Sequence, residues 1–372
     1  MVARNIARIL AADLEFMGFF SVPDPSRYSN PDLDLKDYPA DYVVKSVMTH
    51  SGNALIMEFR LVETATGKLA AGVKYRGTIS DQRIMSHRFA NKIVRAVTGE
   101  DGLTLSKILF VGQKGRSKEI YSADFDGHNI RRETNQRTIV LSPRYSPDGR
   151  FIAFTSYRTG RPCLYIKDVK SGTIFRSACF KGSNIAHAWH PASRKLAVTL
   201  SRNGTPNLYL IDIRGKILKR LTWGRSINIS PSWSPDGNQL VFVSDRAGAP
   251  QLYILNIGSG AVRRLTFSGN YNTDPQWSPR GDKIAYASRV NGKFQIFTIS
   301  PNGGEPEQLT FIGSNENPSW SPDGRQILFS STRDGNKKTL YVMYLNGTAQ
   351  RRLLSFGDGA AMPSWGPNKF MN

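Results

Sequence analysis

Across 372 residues there are only two cysteines, Cys163 and Cys179. A disulfide scaffold and a cysteine-built zinc site are therefore excluded, and the pair alone does not reveal the redox compartment. No stretch approaches the ~18 consecutive apolar residues that a membrane-spanning helix needs. The Gly-x-Ser-x-Gly pentapeptide of a nucleophile elbow is missing, as are the glycine patterns of dinucleotide and phosphate-binding loops. Acidic residues are scarce as well, 29 against 50 Lys and Arg, for a formal charge of +21. These absences argue against an enzyme, and no cofactor or metal is expected.

What the chain does have is a period. Tyr121, Tyr165, Tyr209, Tyr253, Phe297 and Tyr341 each close an aliphatic–aromatic pair, and every interval is 44 residues. A period in the forties, made of short apolar runs with turn residues between them, is the mark of a β-propeller with one four-stranded blade per repeat. A second marker shares the period. Pro143-Arg144-Tyr145-Ser146-Pro147-Asp148-Gly149 returns around Trp233, Trp277 and Trp320, with degenerate copies around Trp189 and Trp365. The expectation is an all-β six-bladed β-propeller over residues 105–372, preceded by a small α+β domain over residues 1–104.

Charge follows this division. Residues 1–104 carry 13 basic and 12 acidic side chains, residues 105–372 carry 37 and 17. A basic propeller suits an acidic partner, whether nucleic acid, an anionic surface or an acidic protein. The plain alternative is solubility and edge protection. Arg131-Arg132, Lys219-Arg220, Arg263-Arg264 and Arg351-Arg352 fall on the outermost strand of their repeats, where charge blocks edge-to-edge pairing.

In the first domain, Ile6, Ile9, Leu10, Leu14 and Met17 form a helical stripe that Gly18 stops. Residues 41–49, 54–63 and 69–78 read as three strands. A second helix runs from an N-cap at Ser80 to Gly99, with Met85, Phe89 and Ile93 on its apolar face. In the second domain there are six inner strands and six outer triplets, displaced by one. The inner strand at Pro363-Ser364-Trp365 is therefore expected to complete the blade that begins at Ile108, closing the ring.

The tryptophans and tyrosine of the Pro-x-aromatic segments are expected to pack between blades. The Ser-Pro-Asp-Gly pieces are tight turns, with Pro presetting φ and Gly supplying positive φ. Asp148, Asp236 and Asp323 are isolated carboxylates on different blades, which makes neither a catalytic site nor a calcium site. Flanking the inner-strand prolines, one acid (Asp274) in twelve positions does not make a channel metal site. His187 and His190 read as local hydrogen-bonding groups.

Loops leading into the inner strands are rich in Asn, Ser and Thr. Antiparallel alternation places them on the same face as the loops bearing Arg116, Arg158, Arg161, Arg202, Arg246 and Arg333. One face thus combines a polar ring at the funnel, including Asn184, Asn228, Asn272 and Asn315, with an outer ring of arginine. Asn and Ser alternatively make only Asx-turns there.

Both halves resemble the TolB family of the Tol–Pal envelope system. Asn5-Ile6-Ala7-Arg8-Ile9-Leu10-Ala11-Ala12-Asp13-Leu14 through Gly18-Phe19-Phe20 is similar to its first helix, and Arg60-Leu61-Val62-Glu63 and Val97-Thr98-Gly99 fit its N-terminal domain. The Pro-x-Trp-Ser-Pro-Asp-Gly repeats, with Asp124-Phe125-Asp126-Gly127-His128-Asn129 in the first blade, are the more specific part. The resemblance implies a non-catalytic periplasmic protein that serves envelope integrity and cell division. Its implied partner is the peptidoglycan-associated lipoprotein, docked in the propeller funnel; nucleic acid is not expected, nor is a membrane span. By position it implies contacts at Ser183, Ala186 and Ile229, with Asn228, Thr273 and Asn315 beside them. TolA is the second partner implied, through a segment that in the family precedes the first helix. Here Met1 already stands at that helix, so reading upstream in frame is expected to supply a signal peptide and an apolar strand.

A second function class is a TolB-like propeller that binds or processes a small anionic ligand, such as an acidic saccharide, in a basic funnel. Cys163 and Cys179 flank one hairpin. They pair as a disulfide or remain buried thiols; the sequence leaves both open.

Overall fold

The computed structural model describes residues 2–24, 34–202 and 204–368, apart from the side chains of Val2, Ala3, Lys36 and Ala186. Two compact units divide the chain after Leu105. In the first, α1 (Val2–Met17) buries Ile6, Leu10, Leu14 and Met17 along one stripe. Strands β1 (Tyr42–Ser51), β2 (Ala54–Glu63) and β3 (Leu69–Thr78) form an antiparallel sheet in that order. The strict alternation Leu55, Met57, Phe59, Leu61 turns one face of β2 inward. Against it lies α2 (Gln82–Thr98), with Phe89 stacked on Phe59 at 4.7 Å between ring centroids. Gly99 ends α2 at φ 75°, its N–H donating to Arg95 O at 3.0 Å. Ser80 is not the N-cap expected of it. A single 3-10 turn, Ile79–Asp81, precedes α2, and the Asp81 carboxylate turns back to accept Thr78 N–H at 2.7 Å. Those bonds from Thr78 hold the Asp81 carboxyl below its ordinary range.

The second unit contains six four-stranded antiparallel sheets. Their inner strands, numbered here as blades one to six, are Gly359–Trp365, Val140–Tyr145, Asn184–Trp189, Asn228–Trp233, Asn272–Trp277 and Asn315–Trp320. Each inner strand packs against the inner strands on both sides, and the cycle closes. Blade one is built from both ends of the unit. Its inner strand pairs with Lys107–Lys114 in the register Ala361↔Val111, Ser364↔Leu109 and Trp365↔Ile108. The doubled basic residues sit on outermost strands, as at Arg131–Arg132 and Val262–Arg264.

The second strands Phe151–Ser156, Gln239–Ser244 and Gln326–Ser331 are mostly apolar and almost wholly buried, because neighbouring blades cover both faces. The aromatic that ends each inner strand borders a blade junction. Trp189, Trp233 and Trp320 are buried, and their Nε1 atoms donate to Arg144 O, Ala188 O and Gln276 O of the preceding blade at 3.2, 3.3 and 2.9 Å. Trp365 donates instead to Ser106 Oγ at 2.9 Å. Trp277 departs from the rule and donates to Gly281 O of its own hairpin at 3.3 Å. In the turns that follow, Ser146, Ser234 and Ser321 each donate to the nearby aspartate at 2.5 Å, so those carboxylates serve the turn.

Cys163, which opens the third strand of blade two, forms a disulfide with Cys179, the residue after its outer strand Ile174–Ala178, with Cα atoms 4.6 Å apart. A bulge between Arg176 and Ala178 shifts the register there, so that Cys179 comes level with Cys163.

Two outcomes follow from this closure and this cross-link. Trp365→Ala removes a buried side chain from the seam that shuts the ring, and a loss of about 3–5 kcal/mol is expected in denaturant titration. Replacing both cysteines with serine opens a loop whose ends are 16 residues apart. The denaturation midpoint should then fall by the equivalent of about 3 kcal/mol, and reductant should have no further effect on that variant.

Candidate functional site

Inner strands start, and second strands finish, at one end of every blade. The loops joining second to third strands and those joining one blade to the next therefore share a single face. Arg158, Arg202, Arg246 and Arg333 lie on the first set, while Ser183, Asn184, Asn228, Ile229, Asn272, Thr273 and Asn315 lie on or just after the second.

The four asparagines do not offer themselves to a partner as expected. All are buried, and their Nδ2 groups donate inside the protein. Asn272 Nδ2 donates to Gln251 Oε1 and Ser268 O, both at 2.9 Å, while Thr266 Oγ1 donates to the same Gln251 oxygen at 2.7 Å. The unit recurs one blade on, where Asn315 and Thr310 meet Gln295 Oε1, each at 2.8 Å. One blade back, Asn228 and Thr222 meet Asn207 Oδ1 at 3.1 and 3.0 Å. Each carboxamide thus ties a third strand and an outer edge to the inner strand of the next blade. Asn184 instead braces its own loop through Phe180 N–H and Phe180 O, both at 2.8 Å. The correction has a simple cause: an amide at the first inner-strand position faces the junction, where its N–H groups find acceptors inside the protein.

Two of the four arginines are also tied down. Arg246 donates to Asn228 Oδ1 at 2.8 Å and lies over the Tyr253 ring at 4.7 Å. Arg333 repeats this with Asn315 Oδ1 at 3.2 Å and Tyr341 at 4.4 Å. Arg202 lies over Phe180 at 4.9 Å but is otherwise exposed, and Arg158 is exposed. Ile229 and Thr273 are half-buried at the rim, as is Ser183, whose N–H donates to Ser201 Oγ at 2.6 Å. Ala186 lies in the inner strand of blade three, its side chain outside the described residues.

Sequence reasoning missed an apolar arc on this face. Trp223, Phe267 and Phe311 are exposed by 60, 75 and 71%, and they occupy one repeat position on three successive blades. Ile227, Tyr271 and Ile312 extend it. The 44-residue spacing of the first three was the available signal. Exposed apolar residues grouped in this way mark contact surfaces.

Below the rim, five inner strands carry a bulge at the residue before proline. Ser142, Ser230, Asp274, Asn317 and Met362 have φ of 50–55°, and they gather about the axis. Asn317 Nδ2 donates to Asp274 Oδ2 at 2.7 Å, and Ser142 Oγ approaches Met362 Sδ at 3.9 Å. Burial pushes the Asp274 carboxyl up, and the Arg144 guanidinium opposes that rise. Burial and the Arg144 charge hold His187 down at about 3, a neutral imidazole at physiological pH.

The brace is open to direct test. Gln251→Leu leaves the Thr266 hydroxyl and the Asn272 amide without their shared acceptor. Unfolding free energy should drop by about 2–3 kcal/mol in a urea titration, while the exposed Arg158→Ala should change it by less than about 0.5 kcal/mol.

With this geometry in view, known proteins are similar in the following ways. A family profile described as the TolB beta propeller domain matches residues 94–369. A protein TolB homolog of Chlorobium chlorochromatii is 43% identical over 199 residues, 50% of this chain and 45% of that protein. A Tol-Pal system protein TolB of Desulfosudis oleivorans is 40% identical over 201 residues, with the same shares of the two chains. The match thus spans under half the length of these curated relatives. The crystal structure of TolB from Acinetobacter baumannii superposes with a TM-score of 0.88 at 28% identity, over 97% of this chain and 93% of that one. No helix among the described residues is long and apolar enough to cross a membrane. Repeat, fold and profile agree: the chain belongs to the TolB β-propeller family.

Proposed function

We propose that the chain is a non-catalytic docking protein of the Tol–Pal system. It binds the soluble domain of the peptidoglycan-associated lipoprotein on the loop face of its propeller and thereby supports outer-membrane integrity and cell division. The observation that carries this reading is the exposed arc Trp223, Phe267 and Phe311, set among exposed arginines on the face that also opens into the funnel. Large aromatic side chains beside guanidinium groups are the residue types that dominate protein interfaces. The surplus of basic residues in the propeller favours an acidic partner and speeds its arrival. Relatives named as Tol-Pal system proteins support the same assignment.

In this reading Ile229, Thr273 and Ser183 line the mouth where the partner inserts, Ala186 belongs to the inner strand of blade three beside them, and Arg158 and Arg202 steer the encounter. Arg246 and Arg333 hold the loops in shape, as do Asn184, Asn228, Asn272 and Asn315. The periplasm is the compartment that suits the role, and a disulfide between Cys163 and Cys179 fits an oxidising one. Membership of the same system suggests TolA as a second partner. A small anionic ligand in the funnel is less favoured, since Arg144 shares the axis with Asp274 instead of joining other cations.

Surface plasmon resonance against the lipoprotein domain from the same genome tests this. Ile229→Glu should weaken binding at least about 100-fold through faster dissociation, because desolvated central contacts carry most of the energy. Arg158→Glu should slow association, and the effect should shrink as salt is raised. Lys170→Glu, on a turn of the opposite face, should change neither rate. Loss of binding with Lys170→Glu and not with Ile229→Glu would place the partner on the wrong side of the ring.

A further inference from the structure

Trp277 occupies the repeat position at which Trp189, Trp233 and Trp320 seal their junctions by donating to the blade before them. Its own indole N–H is turned to Gly281 O, and its ring is half-buried where the other three are buried. The junction it borders, between blades four and five, holds a cleft of about 630 Å³. Such a volume falls in the range of small-molecule sites. The cleft opens beside the Ser-Pro-Asp-Gly turn, on the side away from the arginine and aromatic loops.

Its lining combines an aromatic surface with a rim of hydrogen-bonding groups. Trp277 and the buried Ile254 supply the apolar part, and Asp236, Asn256, Arg263 and Asn302 supply the polar part. These polar side chains are only partly committed. Asp236 Oδ1 serves Ser234 and Asn238 N–H, whereas Oδ2 accepts the Asn238 amide at 2.9 Å and keeps further acceptor capacity. Asn256 Oδ1 accepts Ser259 N–H and Oγ, which leaves its amide hydrogens as donors. Arg263 gives one guanidinium nitrogen to Pro301 O and retains other N–H groups.

We propose that this cleft binds the ring of an uncharged sugar. A pyranose has an apolar C–H face that stacks on an indole and a perimeter of hydroxyls that donate and accept. Trp277 matches the face; Asp236, Asn256 and Asn302 match the perimeter. Because Asp236 and Arg263 offset one another, a neutral ring is favoured over a uronic acid. Nothing in this assignment depends on the docking face, so either can fail without the other.

Saturation-transfer NMR and tryptophan fluorescence on the full chain test it, with cellotetraose, maltotetraose and chitotetraose as neutral probes and trigalacturonate as the acidic one. At least one neutral probe should receive saturation, strongest at its ring C–H protons. Trp277→Ala should raise its Kd by about tenfold or more, the equivalent of one lost aromatic stack. Trp277→Ala also disturbs a blade junction, so Asn302→Ala, on an exposed turn, provides an independent loss of affinity without a change in melting temperature. Lys170→Glu, on a turn of blade two outside this cleft, should leave sugar binding intact. Absence of transfer to every neutral probe overturns the proposal. Binding that survives both Trp277→Ala and Asn302→Ala overturns the location, and binding of trigalacturonate alone overturns the ligand class.

Discussion

The carboxamide brace is the interaction on which the working face depends. A propeller blade presents bare loop ends at each junction, and the chain must cross there from an outer edge to the next inner strand. Gln251, Gln295 and Asn207 solve this by accepting two hydrogen bonds at one oxygen, from the outer edge of their own blade and from the following inner strand. In a buried setting such a shared acceptor is expensive to lose and leaves few alternative arrangements. The loops are thereby held before any partner arrives, and the side chains they carry pay little ordering entropy on contact.

That arrangement explains which parts of the site were legible from residues alone. Period and strand alternation suffice to place Arg158, Ser183 and Ile229 on one face, since geometry follows from topology once the repeat is counted. Burial of a polar side chain does not follow. Asn228 and Asn272 looked like surface groups because Asn in a loop is usually solvated, and only the junction packed above them makes them internal. The aromatic arc runs in the opposite direction: Trp223 and Phe267 have core residue types and share the repeat, yet stand exposed. Hydrophobicity and period together do not distinguish a residue that seals a seam from one that projects beyond it.

Local chemistry produced the remaining surprises. The Cys163–Cys179 bond needs the bulge near Ser177, a one-residue shift that no spacing rule supplies. At the start of α2, the Asp81 carboxylate outcompeted Ser80 because a single 3-10 turn brings it back onto Thr78. Trp277 shares its residue type and repeat position with Trp233, yet its indole bonds to its own hairpin. In each case the outcome is set by the neighbours a side chain meets, and a motif read one repeat at a time does not contain them.

The pairing of Gly359–Trp365 with Lys107–Lys114 has a consequence for how the protein is made. Blades two to six can assemble in the order of synthesis, each from contiguous chain. The sheet that starts the propeller must wait with an unpaired edge until Gly359–Trp365 has emerged. Latching is therefore the final event on the assembly line, and a long-range contact of this kind is slow to form. Until then the unfinished ring has two open ends that can stick to other strands, the interval in which a chaperone or a folding catalyst has the most to guard.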